Sequence, residues 1–110
     1  MEYTGQTFFK KQIKSLGNET ESVDVSPSLS LGIGAKRNWQ AQVELSGNTT
    51  DGTLTISGKS PGASEFIDIE TVDISAGDVI ATFTGIFEEL QVQAADLDAS
   101  VVCDVFLCAV

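Results

Sequence analysis

The groups able to do chemistry in this chain are sixteen carboxylates, two cysteines and six lysines or arginines, with no histidine at all. Without imidazole the usual Ser-His-Asp and Cys-His nucleophile systems cannot be assembled, and the commonest zinc ligand is missing. Cys103 and Cys108 alone are too few for a structural zinc site, so both read as reduced, hydrophobe-like core residues. Paired carboxylates suit glycoside hydrolysis, and the pairs on offer are Glu88 with Glu89 and Asp96 with Asp98. Neighbours on a strand point to opposite faces, so Glu88 and Glu89 do not flank one bond. They read as solvated charge on a strand edge. "DLD" at 96–98 opens like a calcium loop but lacks the third ligand, the glycine and the closing glutamate, which leaves a turn. "GIGAK" at 32–36 lacks the phosphate-loop spacing and reads as a plain loop. No catalytic, cofactor-binding or metal-binding residue is expected, and the chain reads as non-enzymatic.

The elements that would hold such residues are strands. In "WQAQVELS", Trp39, Ala41, Val43 and Leu45 face one way and Gln40, Gln42, Glu44 and Ser46 the other, the alternation of a half-buried antiparallel strand. This parity makes Trp39 a core residue in preference to a sugar-stacking platform. "TLTIS" alternates again, with Leu54 and Ile56 inward, and the turn formers between the two segments predict a hairpin tipped by Asp51-Gly52. "EFIDIETVDIS" changes phase midway, which calls for a bulge or bend near Glu70 or Thr71. "VIATF" and "IFEELQVQA" follow as strands, with turn signals every 8 to 12 residues and no sustained helical period. The pattern predicts an all-β protein, an antiparallel jelly-roll-like β-sandwich with an N-terminal arm. Its expected core includes Trp39, Val43, Leu45, Leu54, Ile56, Ile67, Ile69, Phe83, Leu90, Val92, Val105 and Leu107.

The last strand, "SVVCDVFLCAV", is apolar on both faces. One face belongs to the sandwich core; the other needs a neighbouring subunit or a covering segment. Five residues of extended chain separate the two cysteine Cα atoms by about 16 Å. A disulfide tolerates only about 7 Å, so reduced thiols of a reducing cytoplasm are expected.

Charge divides the chain. Residues 1–37 hold five Lys/Arg against four Asp/Glu, whereas residues 38–110 hold one against twelve. The acidic body disfavours direct contact with nucleic acid. No run is long enough for a membrane span, and "MEYTGQTFFKK" lacks the basic and apolar regions of a secretory signal. The sequons at Asn18 and Asn48 are therefore read as chance. Residues 1–28 are expected to form an arm or edge segment and residues 29–110 the sandwich. Within the first part, Phe8, Phe9, Lys10, Lys11, Ile13 and Lys14 combine two adjacent aromatics with three lysines, a set suited to docking on a partner. The bland alternative makes residues 7–14 an edge strand of the same sandwich.

From "ELSGNTTDGTLTISGKSPGASEFIDI" through "VIATFTGIFEELQVQAADLDASVVCDVFLCA", the sequence resembles small β-sandwich proteins of tailed-phage virions, of the capsid decoration (cement) and head-fibre type. The resemblance spans residues 38–110 and rests on turn chemistry and strand spacing. It implies a bacteriophage structural protein on the capsid surface of the virion, assembled in the host cytoplasm. Such a protein binds the major capsid protein, bridges coat subunits and forms a homo-oligomer, dimer or trimer, without direct nucleic acid or membrane contact. Another virion or tail component, or a carbohydrate-binding sandwich, is the alternative.

Overall fold

The computed structural model describes residues 9–30 and 37–110. Eight strands follow one another: β1 (Phe9–Leu16), β2 (Thr20–Asp24), β3 (Asn38–Leu45), β4 (Thr53–Lys59), β5 (Ile67–Asp73), β6 (Val79–Thr84), β7 (Glu89–Ala95) and β8 (Cys103–Ala109). One short 3-10 turn, Ser26–Ser30, follows β2. The strands form two four-stranded sheets, ordered β1-β8-β3-β6 and β2-β7-β4-β5. All their pairings are antiparallel. The pairs β1·β8, β2·β7, β3·β6 and β4·β5 amount to one long hairpin folded at its middle and rolled up. That is the jelly roll, the β-sandwich expected from the strand periodicity.

Alternation decides which side of each strand is buried. Trp39, Ala41 and Val43 of β3, Leu54 and Ile56 of β4, Leu90, Val92 and Ala94 of β7, and Cys103, Val105, Leu107 and Ala109 of β8 meet between the sheets. At one end the core is aromatic. Trp39 stacks on Phe83 at 6.1 Å between ring centroids, meets Phe9 edge-on at 5.5 Å and Phe87 at 6.0 Å. Its indole Nε1 donates to the Gly85 carbonyl at 2.9 Å, so the one polar atom of a buried ring is satisfied. Phe87 lies in a slot that two glycines leave open. A Cβ on Gly58 would come within 2.6 Å of its ring and one on Gly85 within 2.5 Å, and the φ of +143° at Gly85 favours glycine in any case.

The expected hairpin between β3 and β4 does not form. A jelly roll sends consecutive strands, the central pair β4 and β5 apart, to opposite sheets, so β3 pairs with β6 and β8, while β4 pairs with β5 and β7. Among the described residues the one hairpin of consecutive strands is β4–β5, joined through residues 60–66. The phase change falls close to its predicted place: the β4·β5 register slips between Ile56, opposite Glu70, and Ser57, opposite Asp68. Ile69 is the inserted residue. Beyond the slip β5 leaves the core, and Ile67, expected inside, is 67% exposed. Leu45 and Ile69 are half-buried at the core's margin.

Short polar devices fix the loops. "VDVS" and "VDIS" close β2 and β5 alike: the Asp24 carboxylate accepts from the Ser26 N–H at 2.9 Å and its hydroxyl at 2.6 Å, and Asp73 repeats both bonds with Ser75. These hydrogen bonds, first those from the hydroxyls, hold both carboxyls below the ordinary aspartate value of 3.8. At the end of the sandwich where β5 finishes, Asn18 brackets Leu97, accepting from its N–H and donating to its carbonyl. Asp98 accepts from the Thr50 hydroxyl and N–H, which lowers its pKa as well. The β1–β2, β3–β4 and β7–β8 loops are thereby tied together.

Candidate functional site

β8 is central in its sheet, flanked by β1 and β3, so its second apolar face becomes an open surface. Phe106 and Cys108 are half-buried there and Val110 is 53% exposed. The register brings β1 and β3 alongside: Lys10 and Gln40 lie opposite Cys108, and Gln12 and Gln42 lie opposite Phe106. On the far side of β3, β6 adds Thr82 opposite Gln40 and Ile80, 57% exposed, opposite Gln42. This outer face is an apolar strip bordered by amides and hydroxyls. Its relief consists of two shallow clefts, one of ≈ 650 Å³ between Gln40, Thr82, Thr84, Cys108 and Val110, the other of ≈ 490 Å³ between Lys10, Gln12, Gln42 and Phe106.

Charge is graded along the face. Its acidic residues, Glu44 and Asp104, face each other at the end near the β3–β4 loop. Both are engaged: Glu44 accepts from the Gln42 amide at 3.0 Å and Asp104 from the Ser15 N–H at 2.7 Å. Towards Val110 the surface is neutral, with Lys10 beside it. In a chain of net charge −10 this is a patch where a partner meets little negative charge. The opposite sheet differs. Its outer face presents Thr53, Thr55, Gln91 and Gln93, the Phe66 ring beside it lies under the Lys59 ammonium at 5.6 Å, and Asp68 accepts from Ser57 there at 2.7 Å.

The six residues expected to dock are divided by the fold. Phe8 lies outside the described residues. Phe9 is buried against Trp39, and Ile13 packs partly into the core from β1. Lys10, Lys11 and Lys14 remain exposed. Both strands of the first 28 residues, β1 and β2, are edges of their sheets.

Three of the four carboxylates in the acidic pairs, those of Glu88, Glu89 and Asp98, are engaged in local contacts. Glu88 accepts from the Gly62 N–H at 3.0 Å, and Glu89 forms an ion pair with Lys59 at 3.1 Å. Among the described residues no group of three or more carboxylates and cysteines is placed to hold a metal ion. Both cysteines are free thiols, on opposite faces of β8 as extended geometry requires. Only Cys103 is a core residue. Burial and the neighbouring Asp104 push its thiol pKa upward, whereas Cys108 is half-buried on the outer face.

Sequence reasoning missed the amides. Gln40 and Gln42 had been assigned to the solvent side of β3, and nothing local links them to Phe106. The signal was the two-faced apolar run of β8, once topology makes that strand central.

No family model and no curated sequence matches the chain. Its fold is shared by solved structures of low identity. Pseudomonas aeruginosa AlgX aligns at a TM-score of 0.54 with 17% identity, over 92% of this chain and 26% of AlgX. A family 29 carbohydrate-binding module aligns at 0.51 with 13% identity, over 92% of this chain and 69% of the module. A chain of the acid-stable capsid of Helicobacter pylori bacteriophage KHP30 aligns at 0.51 with 10% identity, over 94% and 85%. Such likeness is one of fold. Among the described residues no helix is long and apolar enough to cross a membrane.

Proposed function

We propose that this chain is a non-enzymatic structural protein of a phage virion, and that it docks on the outer capsid surface through the face of β1, β8, β3 and β6, bridging coat subunits. The observation that carries the reading is the strip of Phe106, Cys108, Val110 and Ile80, apolar and accessible on one face of a chain of net charge −10. Apolar anchors ringed by hydrogen-bonding groups are what a protein interface requires at its centre. Lys10 at its margin suits acidic groups on coat subunits, and the net charge of −10 keeps unbound copies soluble. The sequence resemblance to decoration proteins and the capsid chain of like fold support the same class. Co-sedimentation tests it. Wild-type protein is expected to pellet with capsids of the phage that encodes it, assembled without it, and Phe106→Asp to remain in the supernatant. Undiminished pelleting of that variant would overturn the docking face.

One observation favours a second reading. Gln12, Gln40 and Gln42 flank a single ring, Phe106, in the manner of amides set to bond sugar hydroxyls beside a stacking platform. The fold is also that of a carbohydrate-binding module. Trp39, the strongest stacking residue, is buried, which weakens this reading. Glycan binding abolished by Gln42→Ala, without capsid binding, would favour it.

A further inference from the structure

The four edge strands are not protected alike. A free edge offers unpaired N–H and C=O groups, and proteins commonly guard it with a charge pointing into the sandwich. β1 carries Lys11 opposite the buried Leu107, β2 carries Glu21 opposite the buried Val92, and β5 carries Glu70 opposite the buried Ile56. Each charge therefore sits on the inner side of an edge. β6 has none. Its inward residues Val79, Ala81 and Phe83 face Val43, Ala41 and Trp39, and its outward residues are Ile80, Thr82 and Thr84. The whole strand, "VIATFT", is uncharged, free of Gly and Pro and strongly β-forming, and among the described residues it pairs only with β3.

We infer that β6 is a pairing edge whose occupant is β6 of a second copy, joining two sheets into one of eight strands about a two-fold axis. Charge selects this occupant over the other edges of a neighbouring molecule. β1 brings three lysines, and β2 and β5 bring inward carboxylates, so none continues the neutral inner row of β6. Antiparallel self-pairing opposes residues of the same face. It allows Ala81 against its own copy, with Val79 against Phe83 and Ile80 against Thr82, or Thr82 against its own copy, with Ala81 against Phe83 and Ile80 against Thr84. No charge meets a charge within the strand in either register. A two-fold contact also closes on itself, so the product is a dimer and not a fibre.

One term opposes pairing. β5 touches β6 across the sandwich and carries Asp68, Glu70 and Asp73, so pairing at β6 would bring the carboxylates of the two copies towards each other. Association is therefore promoted by salt. This inference is independent of what the outer face binds.

Sedimentation of the full chain tests it. A dimer is expected whose dissociation constant falls at least about tenfold between roughly 10 mM and 1 M salt, as the screening length drops from about 30 to about 3 Å. Thr82→Lys/Thr84→Lys, both on exposed positions, is expected to leave a folded monomer; if it does not fold, Ile80→Glu serves instead. Thr55→Lys on the central strand β4 is expected to stay dimeric. Hydrogen exchange gives a separate readout, with protection of residues 79–84 falling on dilution. A monomer at every concentration and salt, or a dimer that survives the β6 lysines, overturns the inference. So does a dimer dissolved by Phe106→Ser alone, which would mean face-to-face association.

Discussion

Gly58→Ala tests the aromatic end of the core with a sign that packing and backbone entropy dispute. Gly58 lies in the central strand β4, and replacing such a glycine by alanine ordinarily stabilises by about 0.5–1 kcal/mol, since the unfolded chain loses freedom. Here the new Cβ meets Ile69 Cδ1 and the Phe87 Cδ1 and Cε1 atoms, all at 2.6 Å. Carbon atoms in contact prefer about 3.5–4.0 Å, so the ring must retreat by roughly 1 Å. Its path is closed. Gly85 also lies against the ring, where a Cβ would come within 2.5 Å of Cζ, and Trp39 and Phe83 stand at 6.0 and 6.1 Å between centroids. Overpacking in a core costs about 1–3 kcal/mol, and a ring so enclosed belongs at the upper end. Net of the entropy gain, a loss of about 2 kcal/mol is expected, which lowers the urea midpoint by about 1 M at a typical slope. Trp39, the sole tryptophan, reports the transition by fluorescence. In a Phe87→Leu background the same alanine should cost at least about 1 kcal/mol less, because the smaller side chain yields. An unchanged or raised midpoint for Gly58→Ala, or strict additivity in the cycle, refutes the slot.

Three further outcomes follow from the geometry. In native protein a thiol reagent should label Cys108 and leave Cys103 unmodified until unfolding, with mass spectrometry reading the sites; equal labelling would contradict the placement of Cys103 inside. Asp24, Asp73 and Asp98 have folded pKa values below 3.8, so their contribution is complete above that value and is lost as pH falls through the lowered ones. Thermal unfolding between about pH 5 and pH 2 should show this acid loss, reduced in Asp24→Asn/Asp73→Asn; an unaltered profile counts against the paired turns. Deleting residues 1–14 removes most of β1 together with Phe9, which is 6% exposed, and should lower the melting temperature by more than about 10 °C, from the ~3 kcal/mol of a lost core phenylalanine. An unchanged melting temperature would mean that β1 is dispensable.

Period-two alternation carried the inner faces of β3, β4, β7 and β8 almost residue for residue, because burial on one side of a strand is a local pattern. It also located the slip in β5, where Ile67 and Val72 cannot share a face. Strand partnership was less accessible. Turn formers between Leu45 and Thr53 look the same whether the chain returns to its own sheet or crosses to the other, and the jelly roll crosses. The N-terminal segment left arm and edge strand open for a related reason: β1 is an edge strand, with Lys10, Lys11, Gln12 and Lys14 all exposed, so only Phe9, Ile13 and Leu16 mark its buried side. The proposed docking face was half legible. Phe106 and Cys108 stood out as apolar residues on the wrong parity, while the amides join them only through pairings across 64 to 94 residues of chain.

The question posed by an apolar, two-faced C-terminal strand in an acidic protein has a topological answer. A jelly roll makes strands one, six, two and five the edges and strands eight, three, seven and four the interior of its sheets. β8 is therefore barred from edge pairing and can meet a partner only through its outer face. β6 has the converse position, able to extend the sheet but contributing little more than Ile80 and two threonines to the face. Docking by the face and pairing by the edge thus make separate demands on separate strands, and one does not obstruct the other. Pairing at β6 would set two outer faces side by side in one continuous sheet. A target that repeats at matching intervals, as a shell of identical subunits does, would then be held by two patches at the effective concentration of a rigid link. The shallow, weakly charged surface around Phe106 would become adequate under those conditions, without any one contact being tight.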